Sequence, residues 1–121
     1  MESREFACSS EGMAAAQVFL ESRCDEPKPA IVLDEIVSNI VRCSGAGCFT
    51  ISIDRSDSDL TMVFTDAGKP FDPTREVAAP DLSAPVEDRE IGGLGIFMVK
   101  KMSKSVVYRR EDGKNILTVV M

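Results

Sequence analysis

The segment from Leu60 to Phe97 puts the tightest limits on how this chain can fold. Leu60, Met62 and Phe64 alternate with Thr61, Val63 and Thr65, the period of a half-buried strand, and the strand ends on a carboxylate, Asp66. Asp66-Ala67-Gly68-Lys69-Pro70-Phe71-Asp72-Pro73 then turns sharply, because its glycine and prolines cannot continue a strand. Further on, Glu90-Ile91-Gly92-Gly93-Leu94-Gly95-Ile96-Phe97 opens a helical pattern with three glycines. Between them, residues 73–91 carry Pro73, Pro80 and Pro85 and hold no sustained period. A connection of that length in a compact domain is a functional lid or a mobile loop.

The rest of the chain falls into regular elements around this segment. Residues 4–8 read as a short strand, and Ser9 and Ser10 cap a helix with Glu11 in its favourable first turn. Met13, Ala16, Phe19, Leu20 and Arg23 keep helical spacing to about residue 24, where Asp25-Glu26-Pro27 breaks it. A second helix starts near Pro29, with Leu33, Ile36, Val37, Ile40 and Val41 as its apolar stripe, and stops before Ser44-Gly45-Ala46-Gly47. Cys48–Asp54 and Leu60–Asp66 pair as a hairpin across the polar turn Arg55-Ser56-Asp57-Ser58. A third helix covers about 93–104, and Ser105–Arg110 and Asn115–Met121 form a final hairpin around Asp112-Gly113. The order β-α-α-β-β-lid-α-β-β predicts a two-layer α/β (α+β) sandwich, with three helices on one face of a mixed, mostly antiparallel sheet. With 121 residues, the expected organisation is a single domain over 1–121.

Composition removes several functions. The net charge of −6 repels phosphate backbones, which argues against direct nucleic-acid binding, and suits a basic protein partner. No apolar run reaches the ~20 residues of a membrane span, and the start Met1-Glu2-Ser3-Arg4-Glu5 is too polar for a signal peptide. A cytoplasmic protein is the expectation. There is no histidine, so Ser-His-Asp and Cys-His catalysis are excluded and any general base is another side chain. Cys8, Cys24, Cys43 and Cys48 form no C-x-x-C pair and read as reduced thiols.

Three groups of residues carry possible chemistry. Glu35 and Asn39 are four apart, hence on one helix face beside the Ile36/Ile40 stripe. A carboxamide oxygen suits Mg²⁺, and a carboxylate one turn away can take a proton; a solvated helix face would carry the same pair. Asp66 ends an apolar strand, so its carboxylate needs partners, and the amino group of adenine is one. Gly68 would let a planar ring approach the backbone, although Asp-x-Gly is also an ordinary turn. Gly92, Gly93 and Gly95 precede and open a helix whose free amides attract anions; a hinge into the helix is the plainer alternative. The P-loop pattern is absent, and no parallel βαβ unit surrounds these glycines to make a Rossmann motif.

Taken in order, these groups resemble the GHKL ATPase superfamily with its Bergerat fold, and within it the bacterial anti-sigma factor serine/threonine kinases. Leu33-Asp34-Glu35-Ile36-Val37-Ser38-Asn39 is similar to the N box, Asp66 to Pro73 to the D-x-G-x-P-F-D-P adenine box, and Gly92-Gly93-Leu94-Gly95-Ile96-Phe97 to the phosphate box. The resemblance implies ATP and Mg²⁺, with Glu35 as general base and Asn39 as magnesium ligand. It implies Asp66 and Gly68 around the adenine, and Gly92, Gly93, Leu94, Gly95 and Ile96 around the phosphates. It adds Arg89 at the terminal phosphate and Thr118 reaching the adenine through water. It further implies a homodimer, a sigma factor that is sequestered, and an antagonist (anti-anti-sigma) protein phosphorylated on serine. The family run often continues Asn-x-x-Lys-His; here it is Asn39-Ile40-Val41-Arg42-Cys43, and the lid is shorter than in many relatives. A nucleotide-gated binding module without catalysis and a plain interaction domain are the alternative readings.

Overall fold

The computed structural model describes residues 1–56, 58–74 and 93–121. Its elements follow the expected order: β1 (Glu2–Ala7), α1 (Ser10–Glu21), α2 (Pro27–Cys43), β2 (Cys48–Arg55), β3 (Leu60–Asp66), α3 (Gly93–Met102), β4 (Ser105–Glu111) and β5 (Lys114–Val120). Most of the stretch expected as a lid, residues 75–91, lies outside the described residues.

Local chemistry sets the element ends. Ser9 is extended (φ −154°, ψ 171°) and its side chain accepts the Gly12 amide at 3.1 Å, which caps α1. α2 begins at Pro27, two residues ahead of the expected Pro29, because Pro27 itself supplies the preset first-turn φ behind an extended Glu26. β4 and β5 pair Glu111 with Lys114, so only Asp112 and Gly113 turn the chain. Both have positive φ (52° and 74°), as a two-residue hairpin of the I′ type requires.

The strands form one five-stranded sheet in the order β1-β2-β3-β5-β4. Every pairing among the described residues is antiparallel, where a mostly antiparallel sheet with some mixed pairing was expected. Short hairpin turns join β2 to β3 and β4 to β5, and antiparallel pairing is what such turns allow. The fifth strand inserts between β3 and β4, which places the start of β5 beside the end of β3, with Asn115 opposite Asp66.

Alternation then sorts the side chains. Phe49, Ile51, Ile53, Met62, Phe64, Leu117 and Val119 face the helices and are buried. Against them pack Phe19 and Leu20 of α1, Val32, Leu33, Ile36 and Val37 of α2, and Val99 of α3. Each such side chain contributes about 1.5–3 kcal/mol of transfer free energy. Arg4 and Arg23 both lie over the Phe19 ring, at 5.0 and 4.1 Å, and close the edge of this core. All four cysteines are unpaired. No described helix is long and apolar enough to cross a membrane.

Candidate functional site

At the end of the sheet where β3 stops, the two layers do not close on each other. Ile36, Asn39, Phe64, Asp66, Ile96 and Asn115, joined by Phe71, Pro73 and Tyr108, line a cavity with about 380 Å³ of empty space, partly open to solvent. Four polar residues are buried in a largely apolar wall: Asn39 and Asp66 at 6% exposure, Asn115 at 5% and Ser44 at 3%. Buried polar groups in apolar walls mark where a ligand is oriented.

Asp66 arrives here because it is the inward-facing last residue of an alternating strand. Its Oδ1 accepts the Gly68 amide at 2.9 Å and the Asn115 Nδ2 at 3.0 Å. Gly68 has a structural duty at this turn. A Cβ there would stand 2.2 Å from the Ser44 carbonyl oxygen, so the loop packs flat against the C-terminal end of α2. The Lys69 amide donates to that same oxygen at 2.9 Å. The space beside Gly68 in the direction of a side chain is therefore filled by the protein.

Asn39 lies five residues before Ser44 on the cavity side of α2. Its Oδ1 accepts from Arg42 Nη2 at 2.6 Å. A single inward carboxamide oxygen suits Mg²⁺, which keeps several waters and takes one or two protein ligands besides phosphate oxygens. By residue type Asn39 would suit that ion, but its oxygen is engaged by the Arg42 guanidinium in this structure.

Glu35 is not in the cavity wall. Its carboxyl lies in the seam between α2 and α3, where a Cβ on Gly95 would be 2.0 Å from its carboxyl carbon. One oxygen, Oε1, is buried with no hydrogen-bond partner among the described residues. Desolvation pushes the Glu35 carboxyl above its ordinary range; Arg42 opposes that shift and Asp34 adds to it. An acid held in this way is a stronger base than a free carboxylate and is aimed rather than solvated.

The structure brings Asn39, Asp66 and Ile96 to one cavity, with Glu35 and Gly95 in contact beside it. The first turn of α3, which begins at Gly93, therefore borders the same hollow as Asp66. Arg89 and Gly92 lie outside the described residues, as does the side chain of Leu94. Thr118 is a correction. Asn115, Leu117 and Val119 point inward along β5, so Thr118 between them faces the other side of the sheet, away from the cavity. Asn115 and Tyr108 were not expected in the site. The inward parity of β5 and its insertion beside β3 bring them there, and only the first of these is written in the sequence.

Two solved structures share the architecture. The Acinetobacter baumannii histidine kinase AdeS aligns with the whole chain over 67% of its own length (TM-score 0.57, 16% identity). The catalytic domain of the histidine kinase ThkA does so over 95% of its length (TM-score 0.56, 11% identity). At these identities the likeness is one of fold. A serine/threonine-protein kinase, BtrW of Bordetella bronchiseptica, is 25% identical over 87 residues, covering 72% of this chain. The match spans 61% of that relative's length. The model of the histidine kinase-like ATPase domain matches residues 9–121, nearly all of the sequence, and the chain belongs to that family.

Proposed function

We propose that this chain binds ATP with Mg²⁺ in the cavity between Asp66 and α3 and acts as a protein serine/threonine kinase of the anti-sigma type. It would phosphorylate a serine of an antagonist protein and sequester a sigma factor. The observation that carries this reading is the convergence of a buried strand-end carboxylate, an inward carboxamide and a glycine-opened helix on one hollow, with a desolvated acid at its seam. The membership in an ATPase family and the serine/threonine kinase named among its relatives support it.

In this reading Asp66 accepts the amino group of the base, and the amides at the start of α3 face the phosphates. Asn39 would hold the metal, which would supply positive charge at the phosphate oxygens. Glu35 takes the proton from the serine hydroxyl as its oxygen bonds to the terminal phosphorus and the bond to the β-phosphate oxygen breaks, leaving ADP. Burial suits Glu35 to this step by raising its basicity while holding it in place. Labelled ATP incubated with the chain and a co-encoded antagonist tests the proposal: label transferred to a serine is expected. ATP binding without transfer would leave a nucleotide-gated binding module. The hydrogen bond from Arg42 to the Asn39 oxygen favours that second reading, because it engages the atom a metal would need.

A further inference from the structure

Asn115 is the most extensively bonded side chain of the cavity. Its Oδ1 accepts from Tyr108 Oη at 2.6 Å, Arg110 Nη1 at 3.1 Å and the Phe71 amide at 3.2 Å. Its Nδ2 donates to Asp66 Oδ1 at 3.0 Å and to the Lys69 carbonyl at 2.8 Å. Three donors at one end and two acceptors at the other fix the orientation of the amide. The Gly68 amide also lands on Asp66 Oδ1, so both hydrogen bonds that Asp66 accepts among the described residues fall on a single oxygen. Two donors already engage Oδ1, so any further donor aimed at it must compete with them. Oδ2 accepts no hydrogen bond among the described residues, and Asp66 is part of the cavity lining.

We propose that Asn115 is a positioning residue that makes this cavity prefer adenine to guanine, by engaging one oxygen of Asp66 and leaving the other as a lone acceptor. The inference rests on the reading of Asp66 as the purine-binding carboxylate. A carboxylate with both oxygens free accepts two parallel donors side by side, which is what the N1–H and 2-amino groups of guanine present. Adenine presents one donor, its 6-amino group, next to an acceptor, N1. With Oδ1 engaged by Gly68 and Asn115, adenine keeps its hydrogen bond to Oδ2, while the second guanine donor must compete for an occupied oxygen. An unpaired buried donor weakens binding roughly ten- to hundredfold.

Calorimetric titration of the full chain with non-hydrolysable ATP and GTP analogues in Mg²⁺ tests this. The unchanged chain is expected to bind the adenine analogue at least tenfold more tightly. Asn115→Leu, which removes the donor at similar size, should cut that preference about tenfold, mainly by strengthening the guanine analogue. Asn115→Ala gives the same readout in a second background. Arg110→Met removes another hydrogen bond to Asn115 and one to Gly68 but keeps the bond to Asp66. It should lower thermal stability while leaving the preference intact, which separates positioning from a merely structural role. An unchanged chain that binds both analogues within threefold overturns the proposal. So does a preference that survives in both Asn115 variants while the adenine analogue still binds. If the unchanged chain binds neither analogue, the nucleotide reading itself is wrong.

Discussion

The Cβ that Gly95 lacks would stand 2.0 Å from the carboxyl carbon of Glu35. A notch in α3 thus receives the acid of α2, and the two helices share that seam. Gly95→Ala separates fit from stability. Replacing a helical glycine gains up to about 1 kcal/mol of helix propensity, and the carboxyl group is the far end of a flexible side chain that can swing aside. The melting temperature should hold or rise, while phosphotransfer falls roughly 10²–10⁴-fold, the value of a positioned general base. Thermal unfolding measured beside a phosphorylation assay checks this; full turnover in the variant would show that the acid need not sit in the notch.

Glu35→Gln should still bind ATP and fail to transfer phosphate. Its stability has a defined pH dependence. Burial raises the folded-state carboxyl above its ordinary value of 4.5, so the native state favours the protonated form. The stabilisation that protonation provides is present below pH 4.5 and is lost as pH rises through the elevated folded value. The glutamine variant carries no such loss. Its melting temperature relative to the unchanged chain should therefore increase from acid toward neutral pH, and a flat difference would contradict the burial argument.

Gly68→Ala should destabilise the fold by about 1–3 kcal/mol, the usual penalty of overpacking. The new Cβ would meet backbone, the Ser44 carbonyl oxygen at 2.2 Å, and neither segment can rotate away as a side chain can. A lower denaturant midpoint with an unchanged slope is the expected signature.

Asn39→Ala should remove the magnesium dependence of ATP binding. Titrations in Mg²⁺ and in EDTA are expected to converge for the variant and to differ for the unchanged chain. A magnesium effect of the original size would place the metal ligand elsewhere.

Much of this arrangement was legible because periodicity and capping are local. The stripes of α1 and α2, the Ser9 cap and the Asp112-Gly113 turn all stand where short-range pattern put them. The strand-end position of Asp66 and its burial followed from alternation alone. What the sequence hid was long-range. Nothing near Asn115 says that β5 slips between β3 and β4, and without that insertion the residue opposite Asp66 cannot be named. Gly68 read as room for a ring, yet the atoms facing it belong to Ser44, on an element distant in the chain. Thr118 was misplaced by strand parity: one residue along β5 exchanges the two faces of the sheet.

Glu35, Asn39 and Ser44 all depend on α2: the first two lie within it and Ser44 caps its C-terminal end. One meets α3, one the cavity, one the loop after β3. The helix works as a ruler with three marks, and inserting or deleting a residue ahead of Glu35 would turn all of them by ~100° at once. Indels in that segment should be all-or-none in their effect, whereas drift in its solvent-facing letters leaves the marks in register.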